Sequence, residues 1–137
     1  MFYCRERELR DLEKRYTRGE FECIVIYGRR RVGKTALINE FCKDKPTIFF
    51  SALNASEQEN LEAFSKAICE KEHPGTDLAP IYPSFDAAFT KITQMAENER
   101  LVLVIDEYPY LAKSSKSISS RLQHIIDHTW KNGQIFL

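Results

Sequence analysis

The chain lacks the features that would direct it to a membrane, to secretion or to nucleic acid by bulk charge. No apolar run in its 137 residues approaches the roughly 18 residues of a membrane-spanning helix. Its N-terminus lacks the pattern of a secretory signal, which is a charged region followed by an apolar stretch and a small-residue cleavage site. The formal net charge is zero, so no overall basic field favours nucleic acid. We therefore expect a cytoplasmic protein that does not enter a membrane.

The chain also lacks the cysteine spacing of a zinc site. Its four cysteines are Cys4, Cys23, Cys42 and Cys69. None belongs to a C-x-x-C pair, and no histidine lies near enough in sequence to complete a zinc signature. We expect reduced thiols, as in a reducing compartment.

The remaining composition is that of one globular domain covering residues 1–137. Hydrophobic residues make up 43% of the chain and charged residues 29%, which is ordinary for a globular protein. The charge is uneven, because residues 1–43 carry more basic than acidic residues. This excess of basic residues lies around residues 28–35, where an anionic ligand would require positive charge.

Apolar periodicity alternates between helix and strand along the chain. The predicted helices cover residues 5–18, 34–44, 57 to about 72, a segment that starts after Ser84, and 118–131. The predicted strands cover residues 21–27, 47–52, 101–105 and 134–137. A capping box at residues 56–59 and a cap at Ser84 mark two helix starts. Pro109 is expected to shape a turn, and residues 113–117 a loop. This alternation predicts an α/β fold with a parallel sheet.

The most informative motif is a phosphate loop. Residues 28–35 read G-R-R-R-V-G-K-T and match G-x-x-x-x-G-K-[ST] between a predicted strand and a predicted helix. Two glycines let the backbone approach a phosphate, and the helix N-terminus favours an anion. Lys34 can reach the β- and γ-phosphates, and the Thr35 hydroxyl is a candidate magnesium ligand. The alternative is a glycine-rich turn with a capping threonine. The candidate nucleotide-binding residues are Gly28, Arg29, Arg30, Arg31, Val32, Gly33, Lys34, Thr35 and Ala36.

Two carboxylates follow the apolar strand at residues 101–105. That strand would deliver Asp106 to the carboxyl end of the sheet, where α/β folds bind ligands. Asp106 is therefore predicted to hold magnesium directly or through water; the alternative is a helix cap or turn residue. Glu107 is the candidate base that accepts a proton from the attacking water. The alternative for Glu107 is a solvated surface carboxylate.

Several other polar groups have more than one interpretation. Residues 29–31, three arginines, can form a positive rim, pair with carboxylates or touch nucleic acid. His124 and His128 have a metal-compatible spacing but lack the glutamate of H-E-x-x-H, so a surface-facing pair is favoured. Tyr108 and Tyr110 are expected to pack, although one of them could line the site.

These residues resemble the archaeal-type ATPase family, a group of P-loop ATPases of archaea and bacteria. Residues 27–38 resemble its phosphate loop, and residues 2–9 resemble its N-terminal segment F-x-x-R-E-x-E-L. Residues 103–107, L-V-I-D-E, resemble its second acidic motif. The resemblance covers essentially the whole chain.

The resemblance implies a P-loop NTPase three-layer sandwich of the additional-strand class, with sheet order 5-1-4-3-2 and ATP or ADP bound with Mg²⁺. The loop glycines, Lys34 and Thr35 would contact the phosphates and magnesium. Asp106 would be the magnesium-associated acid and Glu107 the catalytic base. Arg5 and its neighbours would lie near the base of the nucleotide.

The chain departs from that family at its C-terminal end. In the family, the strand that starts near residue 134 reaches a polar γ-phosphate sensor, and a fifth strand, finger arginines and usually a winged-helix region follow. We therefore expect an incomplete, N-terminal fragment whose last strands are missing. The strand at residues 134–137 should lie between the strand leading to Lys34 and the strand ending at Asp106. A neighbouring subunit can supply a missing arginine finger, so self-association is considered.

Three functions follow from these residues. The leading one is Mg²⁺-dependent ATP hydrolysis, coupled to work that the sequence does not identify. The alternative is a nucleotide-gated switch with little turnover. A small-molecule or nucleotide kinase is disfavoured by the adjacent Asp106 and Glu107 and by the absence of an arginine-rich lid. Nucleic acid is a weaker additional partner.

Overall fold

The computed structural model describes residues 6–24, 34–72, 81–133 and 135–137. Its helices are α1 (Glu6–Thr17), α2 (Lys34–Cys42), α3 (Glu57–Glu72), α4 (Phe85–Ala96), α5 (Tyr108–Ser114) and α6 (Ile118–His128). Its strands are β1 (Thr47–Ser51), β2 (Leu101–Asp106) and β3 (Ile135–Phe136). Among the described residues, the helices and strands follow the predicted order, except that α5 was not predicted. Within the described residues, no helix is both long and apolar enough to cross a membrane.

The three strands form a parallel sheet in the order β1-β2-β3. Residues 22–24 pair with the other side of β3, also in parallel. There the Ile24 N–H donates to the Leu137 carbonyl at 2.8 Å, and the Leu137 N–H donates to the Glu22 carbonyl at 2.8 Å. β3 therefore lies between β2 and residues 22–24, the neighbours expected for it. Residues 25–27 of the predicted first strand lie outside the described residues.

Helices cover both faces of the sheet because β2 is apolar on both. Leu101 and Leu103 point into a core shared with α3, α4, α5 and α6. Val102 and the half-buried Val104 point into a second core shared with α1 and α2. A strand buried on both faces is typical of a parallel sheet. This mixed α/β arrangement is consistent with a P-loop-like fold.

The first core contains a row of aromatic rings that runs from the sheet to the end of α6. Ring centroids are 4.9 Å apart for Phe50 and Phe64, 5.7 Å for Phe64 and Phe89, and 5.6 Å for Phe89 and Trp130. The Trp130 Nε1–H donates to the Thr93 hydroxyl at 2.7 Å, so the polar edge of the buried indole is satisfied. This row fixes α4 and α6 against the strands.

The two predicted helix starts are confirmed. The Ser84 hydroxyl accepts the Ala87 N–H at 3.1 Å. The Ser56 hydroxyl accepts the Glu59 N–H at 3.1 Å and lies 3.1 Å from the Glu59 carboxylate. Each serine satisfies an amide that has no partner inside its own helix.

The segment after β2 differs from its prediction. The turn expected at Pro109 and the loop expected over residues 113–117 are wrong in part, because α5 runs through Ser114. Pro109 lies in the first turn of α5, where the missing N–H costs no helical hydrogen bond. The helix predicted over residues 118–131 is too long: α6 ends at His128, and a 3₁₀ turn, Trp130–Asn132, follows.

The second core is built on three aromatic rings from three elements. Phe136 of β3 lies 5.7 Å from Tyr16 of α1 and 5.2 Å from Phe41 of α2, centroid to centroid. Phe136 is 4% exposed. Because β3 is only two residues long, this one ring is its main contact with both helices.

Replacing Phe136 with alanine should therefore weaken the whole α1–α2 face. We expect Phe136→Ala to lower the free energy of unfolding by about 3–5 kcal/mol, measured by urea denaturation. Ile81→Ala is the control, because Ile81 is 53% exposed and its loss should change stability by no more than about 0.5 kcal/mol. Equal effects of the two substitutions would contradict this account of the second core.

Candidate functional site

The carboxyl end of β2 holds the first predicted site residue. Asp106 is the last residue of β2, lies opposite Ser51 in β1 and is 8% exposed. Its carbonyl accepts the Ala52 N–H at 2.9 Å. The strand end is thus tied to the connection that follows β1. A nearly buried carboxylate at this edge is unusual, because aspartate is rarely buried without a partner.

Glu107 adopts a backbone conformation that glutamate rarely takes. Its φ is 59° and its ψ is 40°, the only positive φ of a non-glycine residue among those described. Its N–H donates to the Asp106 Oδ1 at 3.0 Å, and its carbonyl accepts the Tyr110 N–H at 3.0 Å. A left-handed conformation costs roughly 1–2 kcal/mol for an L-residue and persists only where its surroundings determine it. Here the strand end and the start of α5 do so.

The two carboxylates differ in their surroundings. Asp106 belongs to β2, and the one N–H that its Oδ1 accepts occupies only part of the acceptor capacity of a carboxylate. Glu107 is half-buried rather than fully solvated. The side chains of two neighbouring residues are therefore presented at one edge of the sheet, and Asp106 is held by a defined hydrogen bond.

Helix α2 is directed toward the same edge. Its C-terminal end is joined by residues 43–46 to the first residue of β1, a distance of at most roughly 18 Å. Residues 22–24 and β1 run in the same direction, so the connection that contains α2 has to return the chain to the amino end of the sheet. We infer that the N-terminal end of α2 lies toward the carboxyl end. No acidic residue occurs in its first turn, so no side chain of that turn offsets the partial positive charge of the helix end.

The helix predicted after the phosphate loop is confirmed, since α2 begins at Lys34. The backbones of Lys34 and Thr35 form the first turn of α2, and Ala36 is exposed. The predicted contacts of the remaining loop residues and of the N-terminal segment lie outside the described residues; these are Gly28, Arg29, Arg30, Arg31, Val32, Gly33 and Arg5.

A cleft of about 290 Å³ lies beside the two carboxylates. Its walls are mainly apolar and include Ile38, Val104 and Leu122, while Asp106 and Glu107 are among its polar lining residues. Cavities that bind small molecules commonly combine apolar walls with a few polar groups. The site residues at the end of β2 thus face a space that a ligand could enter.

The two tyrosines after the acidic pair have different roles. Tyr108 lines the cleft, and its hydroxyl lies 2.7 Å from that of Ser119. Tyr110 packs against the first core. Both pack against the first core, as expected, and Tyr108 also connects α5 to α6.

The described cysteines differ in exposure. Cys23, Cys42 and Cys69 are free thiols, of which Cys23 is exposed and Cys69 is buried, while Cys4 lies outside the described residues. Burial raises the pKa of the Cys42 thiol, and a hydrogen bond with Thr47 opposes that rise only in part. Although Cys42 lines the cleft, it is therefore protonated at neutral pH and is a poor nucleophile.

The two histidines of α6 face solvent, as predicted. His124 and His128 are both exposed, and their ring centroids are 4.3 Å apart. In the part of the chain that the structure describes, no group of three or more histidine, cysteine or acidic side chains could hold a metal ion. The predicted magnesium ligand Asp106 thus lies outside any preformed cluster of that kind.

Sequence reasoning missed one polar residue near the site. Asn60 of α3 is 0% exposed. It occurs four residues before Phe64 on the inward face of α3, where the apolar pattern predicts a hydrophobic residue. An asparagine at an inward position of an amphipathic helix is a detectable signal, because a buried amide requires hydrogen-bond partners.

The chain belongs to a family described as an ATPase domain predominantly from Archaea, which its residues 2–137 match. It is similar to an uncharacterized protein of Methanocaldococcus jannaschii, with 34% identity over 132 residues. That alignment covers 96% of this chain but 27% of the relative. An uncharacterized ATP-binding protein of the same organism is 47% identical over 45 residues, which are 33% of this chain and 76% of that protein. The chain thus spans about a quarter of the longer relative.

The hydrogen bond between the Glu107 N–H and the Asp106 carboxylate should contribute to the free energy of unfolding. Asp106→Ala removes the acceptor of a partly buried N–H and should lower the free energy of unfolding by about 1–3 kcal/mol. Asp106→Asn keeps an oxygen at the same place and should cost less. Urea denaturation of both variants measures the difference. Equal losses would show that the hydrogen bond adds nothing to the stability of the strand end.

Proposed function

We propose that this chain is the nucleotide-binding part of an ATPase that binds ATP with Mg²⁺ and hydrolyses it. The observation that carries the proposal is the position of Asp106 and Glu107 at the carboxyl end of β2, the edge to which α2 points. The family to which the chain belongs and the ATP-binding name of one relative support nucleotide binding. The activity of the longer protein is part of the proposal.

The phosphates would bind at residues 28–36, where the loop meets the first turn of α2. Backbone N–H groups and the positive end of the helix favour an anion there. The Lys34 ammonium would contact the β- and γ-phosphates. The pairing of residues 22–24 with β3 supports a first strand beside β3, and with it the family order 5-1-4-3-2.

Magnesium would be held by Thr35 and Asp106. Magnesium prefers oxygen ligands and keeps several waters, so one carboxylate and one hydroxyl beside the phosphates suffice. Asp106 fits this role because it is nearly buried and its Oδ1 is held by the Glu107 N–H. The bound cation would neutralise charge on the phosphates.

Glu107 would act as the general base. Its carboxylate would accept a proton from the water that attacks the γ-phosphate, and ADP and phosphate would leave. The left-handed backbone of Glu107 supports this role, because strained residues cluster at active sites. A second copy of the chain could supply the finger arginine, in which case kcat would rise with protein concentration.

Nucleotide binding is tested by thermal unfolding with and without Mg²⁺-ATP. At 100 times its Kd, ligand should add about 2.7 kcal/mol to the free energy of unfolding, which is a rise of several degrees in Tm. Lys34→Ala should abolish the rise. Lys43→Ala is the matched control, because Lys43 is an exposed lysine just beyond the other end of α2. An identical rise in wild type and Lys34→Ala would refute the proposed phosphate site.

Hydrolysis is tested by Glu107→Gln, which keeps the shape of the side chain and removes its basicity. We expect kcat to fall by about 10²–10⁴-fold, while the Kd for ATP stays within about twofold of wild type. Glu70→Gln, at an exposed position of α3, is the control. Binding without phosphate release in wild type would instead favour the nucleotide-gated switch. Phosphate transfer to an added acceptor would favour a kinase.

A further inference from the structure

The buried side-chain amide of Asn60 binds the connection between β1 and α3, which consists of residues 52–56. Its Oδ1 accepts the Leu53 N–H at 2.8 Å, and its Nδ2 donates to the Leu53 carbonyl at 3.1 Å. The Ser56 carbonyl also lies near Nδ2, at 3.3 Å. Because Nδ2 has only two hydrogens, this longer contact can only share one of them with a nearer acceptor. The side chain thus pairs with both backbone groups of Leu53, as a neighbouring strand would. Such a buried amide is costly when unsatisfied and rigid when satisfied.

The same amide reaches the end of α5. Its Nδ2 donates to the Ser114 hydroxyl at 3.1 Å, and that hydroxyl donates to the Leu111 carbonyl at 3.0 Å. Leu111 is 1% exposed. The Ser114 hydroxyl is therefore bonded both within α5, to the Leu111 carbonyl, and to α3, through the Asn60 side chain.

Both ends of α5 are consequently tied to one connection. At its C-terminal end, Ser114 is joined through Asn60 to Leu53. At its N-terminal end, the Ala52 N–H binds the Asp106 carbonyl, and Asp106 binds the N–H of Glu107. α5 has seven residues and is about 10 Å long, so a shift at one end reaches the other.

We propose that Asn60 is a positioning residue: it holds the C-terminal end of α5 through Ser114 and thereby sets the position of Glu107. Asn60 acts through α5, and its own bonds go to Leu53, Ser56 and Ser114. The consequence for catalysis depends on the proposed role of Glu107 as the base, whereas the mechanical coupling does not. Small displacements of a catalytic group have large effects on rate.

Ser114→Ala removes the bond between α3 and α5, together with the bond from the Ser114 hydroxyl to the Leu111 carbonyl. It leaves the bonds of Asn60 to Leu53 in place, and Ser114→Thr restores a hydroxyl. Thr93→Val is the matched control. Its hydroxyl also donates to a carbonyl of its own helix, that of Phe89, and accepts a side-chain N–H, that of Trp130.

The first readout is amide hydrogen exchange by NMR, which requires no enzymatic activity. We expect the Glu107 amide to exchange about five- to tenfold faster in Ser114→Ala, relative to the Leu103 amide of the core, as for the loss of one hydrogen bond. Ser114→Thr should return the ratio to the wild-type value, and Thr93→Val should leave it unchanged. An unchanged ratio in Ser114→Ala overturns the proposal.

The second readout is ATP turnover. We expect kcat in Ser114→Ala to fall by about tenfold with the Kd for ATP unchanged, whereas Thr93→Val should alter neither. Loss of stability alone would not separate kcat from Kd in this way. Equal kcat in wild type and Ser114→Ala overturns the coupling to catalysis. Absence of turnover in wild type counts against the proposed function, and hydrogen exchange then decides the role of Asn60.

Discussion

Burial of β2 on both faces is the constraint on which the remaining structure depends. Leu101 and Leu103 require one layer of helices, and Val102 requires another. Parallel strands require connections that return the chain from the carboxyl end of one strand to the amino end of the next. These connections form the two layers. The polar residues that follow the apolar run are then placed at the carboxyl edge. Asp106 and Glu107 owe their position to the apolar residues before them.

The site region is held mainly by backbone groups. Asp106 binds the N–H groups of Ala52 and Glu107 through its carbonyl and carboxylate, and Asn60 binds Leu53 through both of that residue's backbone groups. Three of these four bonds join a side chain to the backbone, so they depend on the rotamers of Asp106 and Asn60. Side chains and backbone at this end of the sheet are thus held together.

The sequence predicted the helices and strands where apolar periodicity and end signals agree. α3 starts after Ser56 and α4 after Ser84, and β2 forms where apolar residues are continuous. α5 was missed because its seven residues complete fewer than two turns, too few for periodicity, and because proline at its second position resembles a turn signal. The partners of Asn60 could not be predicted, since its contact with Ser114 joins residues 54 positions apart.

Under the proposed role of Glu107, its left-handed backbone sets local stability against chemistry. Glycine would adopt this conformation without the roughly 1–2 kcal/mol that an L-residue loses. Whole domains are stable by only about 5–15 kcal/mol, so the loss is substantial. A chain optimised for stability alone would carry glycine at this position. The proposed role as a base would supply a reason for glutamate at this position, and procedures that raise stability by removing strain would replace it first.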